Sequence, residues 1–347
     1  MRFPSSPARA SGLFSVSDLF PRPRRNPDAG KRNLSRAKVS AVPAPPEAAS
    51  YPAAPERVGL RPKNGWLLGD FVTDVLIPSY LAPRTGRQQI KPTFPQLQTG
   101  QICITWIGHA SFLVQIGGRN ILIDPNWSLW LKVIKRVRKP GLRIRDLPLI
   151  DLVLVTHAHF DHLDKRTLRA VAANQPIAVP FGVGSLVHDL GFERVHELDH
   201  WGSLSFGDLK VTLTPCQHWG ARILADQHRG YGGFVISQGD RSVFHCGDTA
   251  YFEGFREIGE RCPIEIALLP IGAYDAPTGR EVHMNPEEAV QSFVELNAKW
   301  LVPMHYGSFP LGLEPINEPP ERLIARACEL GLEDRVILLE EGHPWVF

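Results

Sequence analysis

A short apolar run, Asp151-Leu-Val-Leu-Val-Thr156, leads directly into His157-Ala-His159-Phe-Asp161-His162. Few sequence features constrain a fold as tightly. The run reads as a buried strand, and the polar cluster that follows must sit at its carboxyl end, where loops assemble sites. Three imidazoles and one carboxylate within six positions form two pairs, His157 with His159 and Asp161 with His162. Nitrogen and carboxylate oxygen donors of this kind suit zinc best, with iron or manganese as alternatives.

The same design recurs downstream. Leu209 to Thr214 is a second short β-rich run, followed by Cys216-Gln-His218; Arg241-Ser-Val-Phe-His is a third, followed by Gly247-Asp248-Thr249; Lys299 to Met304 is a fourth, ending at His305-Tyr-Gly. One terminal histidine would signify little, but four strands each ending in a metal-competent group predict a shared centre. The donor count fits two ions. His157, His159 and His218 would hold one, Asp161, His162 and His305 the other, and Asp248 would bridge them. Two dications about 3.5–4 Å apart lower the pKa of a shared water and clamp the oxygens of an in-line displacement, so the arrangement favours hydrolysis.

Further blocks appear in order: Thr105-Trp-Ile-Gly-His109-Ala-Ser, Ile123-Asp124-Pro125, Gln217-His218-Trp219, Pro270-Ile-Gly-Ala-Tyr274, His283-Met-Asn-Pro-Glu-Glu-Ala289 and His305-Tyr-Gly. With the histidine-rich cluster, they resemble the metallo-β-lactamase superfamily, and within it the branch of N-acylphosphatidylethanolamine-hydrolysing phospholipases D. The likeness covers about residues 101 to 343. It implies an α/β fold, the αββα sandwich of two mixed sheets flanked by helices, and a binuclear zinc phosphodiesterase that releases N-acylethanolamine and phosphatidic acid. Asp161, Asp248 and His283 would take catalytic parts, His283 by contacting a substrate phosphate or protonating a leaving group. His109, Asp124, Arg222 and Tyr274 would orient ligands or contact substrate. A related branch opens sugar lactones, so a soluble lactonase-type enzyme acting on a small ester is the alternative. The chain departs from the branch in reading Asp275-Ala-Pro-Thr-Gly-Arg280 after Tyr274, which displaces the usual arginine, and in carrying Tyr231 where tryptophan is usual.

Composition bounds the remainder. The 347 residues carry a net charge of +2, which gives no bulk signature of nucleic acid binding. Five cysteines without CxxC spacing argue against a disulfide framework. No apolar stretch approaches the roughly 18 residues of a spanning helix. The first fifty residues hold nine Lys/Arg against three acids, among Pro, Ser and Ala. That reads as a disordered extension, equally an organellar transit peptide or an unstructured tail of a cytoplasmic or peripheral membrane protein. The chain divides into this extension (1–57), a lead-in (58–100) and a hydrolase domain (101–347).

Around Gly117-Gly118, residues 102–123 alternate as a hairpin. Helices are expected over 164–173, from Asn285 with proline at the first helical position, and over 319–330, closed by Gly331. Residues 127–145 interleave Trp127, Leu129, Trp130, Leu131, Val133 and Ile134 with seven cations. This segment is either an interfacial element on an anionic bilayer or an ordinary surface helix packed on the core. Residues 65–78 could add a second membrane contact or cap the domain. The expected partners are thus a phospholipid or membrane surface, no nucleic acid, and a second copy as a homodimer.

Overall fold

The computed structural model describes residues 69, 71–86, 91–223, 226–275 and 277–347; the extension 1–57 lies outside them. Its strands are β1 (Cys103–Gly108), β2 (Ser111–Ile116), β3 (Arg119–Ile123), β4 (Trp130–Leu131), β5 (Ile134–Lys135), β6 (Leu152–Leu154), β7 (Ile177–Pro180), β8 (Val195–Leu198), β9 (Ser203–Phe206), β10 (Leu209–Thr214), β11 (Gly233–Gln238), β12 (Arg241–His245), β13 (Ile266–Pro270), β14 (Trp300–Met304) and β15 (Pro344–Val346). Helices α1 (Ile77–Leu81), α2 (Lys165–Val171), α3 (Gly254–Arg261), α4 (Pro286–Glu295) and α5 (Glu318–Glu329) accompany them.

Seven strands form one sheet in the order β15-β1-β2-β3-β6-β7-β8, and six form the second, β14-β13-β12-β11-β10-β9. Each sheet is antiparallel on one side and parallel on the other: β1-β2-β3 then β3-β6-β7-β8, and β9-β10-β11-β12 then β12-β13-β14. This is the expected metallo-β-lactamase fold. Alternation along the first sheet explains the packing. Ile104, Trp106, Phe112, Val114, Ile121, Ile123, Leu152 and Leu154 join Phe234, Ile236 and Phe244 of the second sheet in one core. Their neighbours Leu113, Leu122, Val153, Val155, Ile177 and Val179 point the other way and form a second core with Leu168 and Val171 of α2. A period of two with both faces covered gives near-continuous apolar strands.

Helix starts follow their sequence signals. Asp164 caps α2 by accepting from the Thr167 amide at 3.2 Å. Asn285 and Glu288 form a reciprocal capping box on α4, each side chain accepting from the other's backbone amide at 2.9 and 3.0 Å.

Residues 127–145 depart from the helical reading. They form the hairpin β4–β5, turned over Lys132 and Val133, followed by a 3-10 turn at Ile144–Asp146. Leu131 and Lys135 point inward while Trp130, Lys132 and Val133 are exposed. Two buried cations anchor this register. The Lys135 ammonium donates to the Tyr80 carbonyl, and the Arg136 guanidinium is drawn fully inside, donating to the carbonyls of Asn126 and Arg138 at 3.0 Å each. Helix α1, preceded by a π-helical turn at Phe71–Leu76, packs beside the hairpin. The Tyr80 ring lies 5.0 Å from Trp130, and its hydroxyl donates to the Val133 carbonyl.

Candidate metal centre

All four ligand-bearing strands, together with β3, end at one rim, where loops leave the carboxyl ends of parallel strands. Residues 157–162 follow β6, His218 follows β10, Asp248 follows β12 and His305 follows β14. His157 Nε2 lies 2.9 Å from His159 Nδ1, which lies 3.2 Å from His218 Nε2. Asp161 Oδ2 sits 3.3 Å from His305 Nε2 and 3.7 Å from His162 Nε2. Asp248 Oδ2 stands between the two groups. It is 3.1 Å from both His162 and His305, and 3.9 and 4.0 Å from His157 and His218. The seven side chains singled out by their motifs therefore converge.

The outer contacts fix which nitrogen faces inward. His218 Nδ1 donates to the Val282 carbonyl at 2.9 Å, which leaves Nε2 for the centre. His162 Nδ1 lies 2.6 Å from Asp124 Oδ2, which also accepts from the Thr156 hydroxyl at 2.6 Å. With that proton committed, Thr156 Oγ accepts from His157 Nδ1 at 3.0 Å. His109 Nε2 contacts Asp161 Oδ2 at 3.0 Å, and His283 Nε2 contacts Asp248 Oδ2 at 3.3 Å. His109, Asp124 and His305 all hold positive φ, at 58°, 43° and 61°. Left-handed backbone at non-glycine residues costs of order 1–2 kcal/mol each, and here it turns three site residues onto the rim.

Electrostatics separates the two groups. Burial, reinforced by neighbouring imidazoles, holds His157 and His218 well below the usual histidine range and brings His159 to about 4. With the Nδ1 protons of His157 and His218 turned outward to Thr156 and Val282, their Nε2 lone pairs converge on His159 Nδ1. Burial would also lower His162 and His305, but Asp248 and Asp161 outweigh it, raising His162 well above its usual value and His305 to about 9. Burial opposes ionisation of Asp161 and Asp248, yet the surrounding imidazoles keep both well below the usual carboxylate range. His159 Nε2, His162 Nε2 and Asp248 Oδ1 are buried and have no hydrogen-bond partner. Two ionised carboxylates among buried imidazoles whose free nitrogens converge form a donor set that fits cations.

Two sequence candidates point elsewhere. Arg222 Nη1 donates to the Ala158 and Leu163 carbonyls, both at 2.8 Å, and so braces the ligand loop from behind. The Tyr274 hydroxyl donates to Glu318 at 2.9 Å, beneath the Arg322 guanidinium, tying its loop to α5. Three functional residues carried too little signal alone. Thr156 holds Asp124 and His157. Asn126 donates to the Asp161 carbonyl at 2.7 Å. Thr249 accepts from the Gln217 amide at 2.8 Å and its carbonyl accepts from Met284, aligning His218 and His283 beside Asp248. Cys216 and Cys246 are buried free thiols, raised by burial.

Residues 119–306 match the family model described as the β-lactamase superfamily domain. The chain belongs to the β-lactamase superfamily. Within that superfamily it is 34% identical over 246 residues to a metal-dependent hydrolase of Methanopyrus kandleri, covering 70% of this chain and 98% of that one. It is 32% identical over 268 residues to the N-acyl-phosphatidylethanolamine-hydrolyzing phospholipase D 1 of Caenorhabditis elegans, covering 70% and 74%. Among solved structures, a metallo hydrolase of Ignicoccus hospitalis aligns with a TM-score of 0.56 at 27% identity, over 71% of this chain and 98% of that one. With these relatives and its His/Asp cluster, this β-lactamase superfamily member is a metal-dependent hydrolase.

Proposed function

We propose that the enzyme is a zinc-dependent phosphodiesterase of the phospholipase D type, cleaving N-acylphosphatidylethanolamine at a membrane surface into N-acylethanolamine and phosphatidic acid. The observation that carries this reading is Asp248 standing between two donor groups, with the basic hairpin reaching the ligand loop through Lys132 and Phe160. His157, His159 and His218 would hold one zinc ion, and Asp161, His162 and His305 the other, with Asp248 shared. Bound there, the ions supply Lewis acidity and lower the pKa of water. The chain's own residues supply the rest. His283 Nδ1 is buried without a partner while Nε2 rests against Asp248, which leaves Nδ1 to accept a proton or contact a substrate group. Asp124, Thr156 and the Val282 carbonyl hold the imidazoles in their donor tautomers, which avoids reorganisation during the reaction.

The lipid assignment rests on the surface formed by α1 and the β4–β5 hairpin. Ile77, Tyr80, Leu81, Leu129, Trp130 and Val133 are exposed there, Leu81 at 83% and Val133 at 60%. Residues 129–139 carry five cations and no acid. Apolar and aromatic side chains among cations complement an anionic bilayer. The relative from C. elegans, named for hydrolysis of this lipid, supports the same substrate. The deciding experiment incubates zinc-loaded protein with mixed vesicles containing N-acylphosphatidylethanolamine and identifies products by mass spectrometry. Appearance of N-acylethanolamine with phosphatidic acid is expected. Intact lipid alongside turnover of a water-soluble lactone would assign the centre to the lactonase-type reaction instead.

A further inference from the structure

The metal centre is closed on most sides. His157, His162, His218, Asp248 and His305 are at most 2% exposed, whereas His159, Phe160 and Trp219 are partly exposed. Substrate must therefore approach past Phe160 and Trp219, whose indole packs 4.1 Å from the His159 ring. Phe160 lies between two metal-ligand candidates in sequence, and its ring contacts two cations. The Arg222 guanidinium sits 4.0 Å from the ring centroid and the Lys132 ammonium 4.3 Å from it. Arg222 is committed through Nη1 to the carbonyls of Ala158 and Leu163. Lys132 differs. It occupies the tip of the β4–β5 hairpin in a left-handed conformation, φ 55°, and is exposed. Among the described residues no carboxylate lies within ion-pair distance of it.

The acids that act on the neighbouring Arg222 are already engaged. Asp164 caps α2, and Asp226 pairs with Arg229 at 2.6 Å. The entrance thus carries an uncompensated ammonium held against an aromatic platform beside the ligand loop. The geometry points to an anion-binding subsite centred on Phe160, in which Lys132 receives a phosphate or carboxylate group as substrate reaches the metal centre. Lys132 is then a specificity-determining residue: it favours anionic esters over uncharged ones and acts on binding rather than on bond cleavage. The subsite deepens the phosphodiesterase reading and rests on it for the reaction. The anion would belong either to the diester being cleaved or to a neighbouring lipid headgroup.

The test compares the zinc-loaded full chain with Lys132→Ala, Lys132→Glu and Lys132→Arg, after thermal unfolding shows that each variant is folded. Dimethyl phosphate binding is measured by calorimetry, and KM and kcat are measured for a soluble aryl phosphodiester and an uncharged aryl ester. Loss of one exposed charge contact should weaken the anion by about 2- to 5-fold in the alanine variant. The glutamate variant should lose more and the arginine variant should recover. KM for the diester should rise in parallel, with kcat and the uncharged ester nearly unchanged. Binding to phosphatidylcholine vesicles with and without phosphatidylglycerol separates the sources. A loss seen with dimethyl phosphate assigns the anion to the substrate; a loss confined to phosphatidylglycerol vesicles assigns it to a neighbouring headgroup. If Lys132→Ala matches the parent on both soluble anion and vesicles, the subsite does not exist. These binding measurements decide the subsite even if no phospholipid is cleaved, so the two proposals fail separately.

Discussion

The floor of the metal centre and the hairpin at its mouth are neighbours built by opposite rules. On the floor, each imidazole has one nitrogen aimed inward, and for His157, His162 and His218 the other is engaged by Thr156, Asp124 or a carbonyl. At the mouth, Trp130, Lys132 and Val133 are exposed on a turn held by Lys135, Arg136 and the Tyr80 hydroxyl. A floor of this kind fixes chemistry, because displacing one group leaves others buried and unpaired. A mouth of this kind fixes what is admitted, because its side chains can change with little effect on the fold.

That contrast can be broken most severely at Asp248. Asp248→Asn removes the charge shared by both donor groups, and turnover should fall by about 10³-fold or more, with zinc dropping below two equivalents. Metal analysis beside steady-state kinetics checks it; two zinc ions with parental turnover would show that Asp248 does not bridge. A smaller effect is expected one layer out. Asp124→Asn keeps the shape but loses the charge and one of the two acceptor oxygens shared by His162 and Thr156, and zinc affinity should weaken by about 10- to 100-fold in competition with a chromophoric chelator. Unchanged affinity would mean that the His162 ring is held by packing alone. The smallest effect belongs to the mouth. Trp130→Ala should cost under about 1 kcal/mol in urea unfolding, since the side chain is 41% exposed, yet reduce sedimentation with anionic vesicles several-fold. A large loss of stability would make the hairpin part of the core.

The sequence was most readable where one residue type carries one meaning. The histidine cluster after an apolar run located the β6 rim, Gly117-Gly118 marked the β2–β3 turn, and Asn285-Pro286 marked the start of α4. It was least readable where the meaning lies in a distant partner. Ile266–Pro270 is a central parallel strand covered on both faces, so it shows no alternation to distinguish it from a buried helical turn. The β4–β5 ladder is two residues a side, too short for a period to emerge, and one of its anchors, the Tyr80 carbonyl, lies far along the chain. Arg136 resembles any basic surface residue until Asn126, Ser128 and Arg138 turn their carbonyls toward it. Thr156 and Asn126 gain their roles from a carboxylate and a loop that only the folded chain brings close.

The donors come from both halves of the sandwich, residues 157–162 from the first sheet and His218, Asp248 and His305 from the second. A bound ion would therefore act as a rivet through the seam, drawing part of its affinity from the docking of one half on the other. Damage to packing far from the chemistry, in either half, would then surface first as a leak of metal, before any strand is lost.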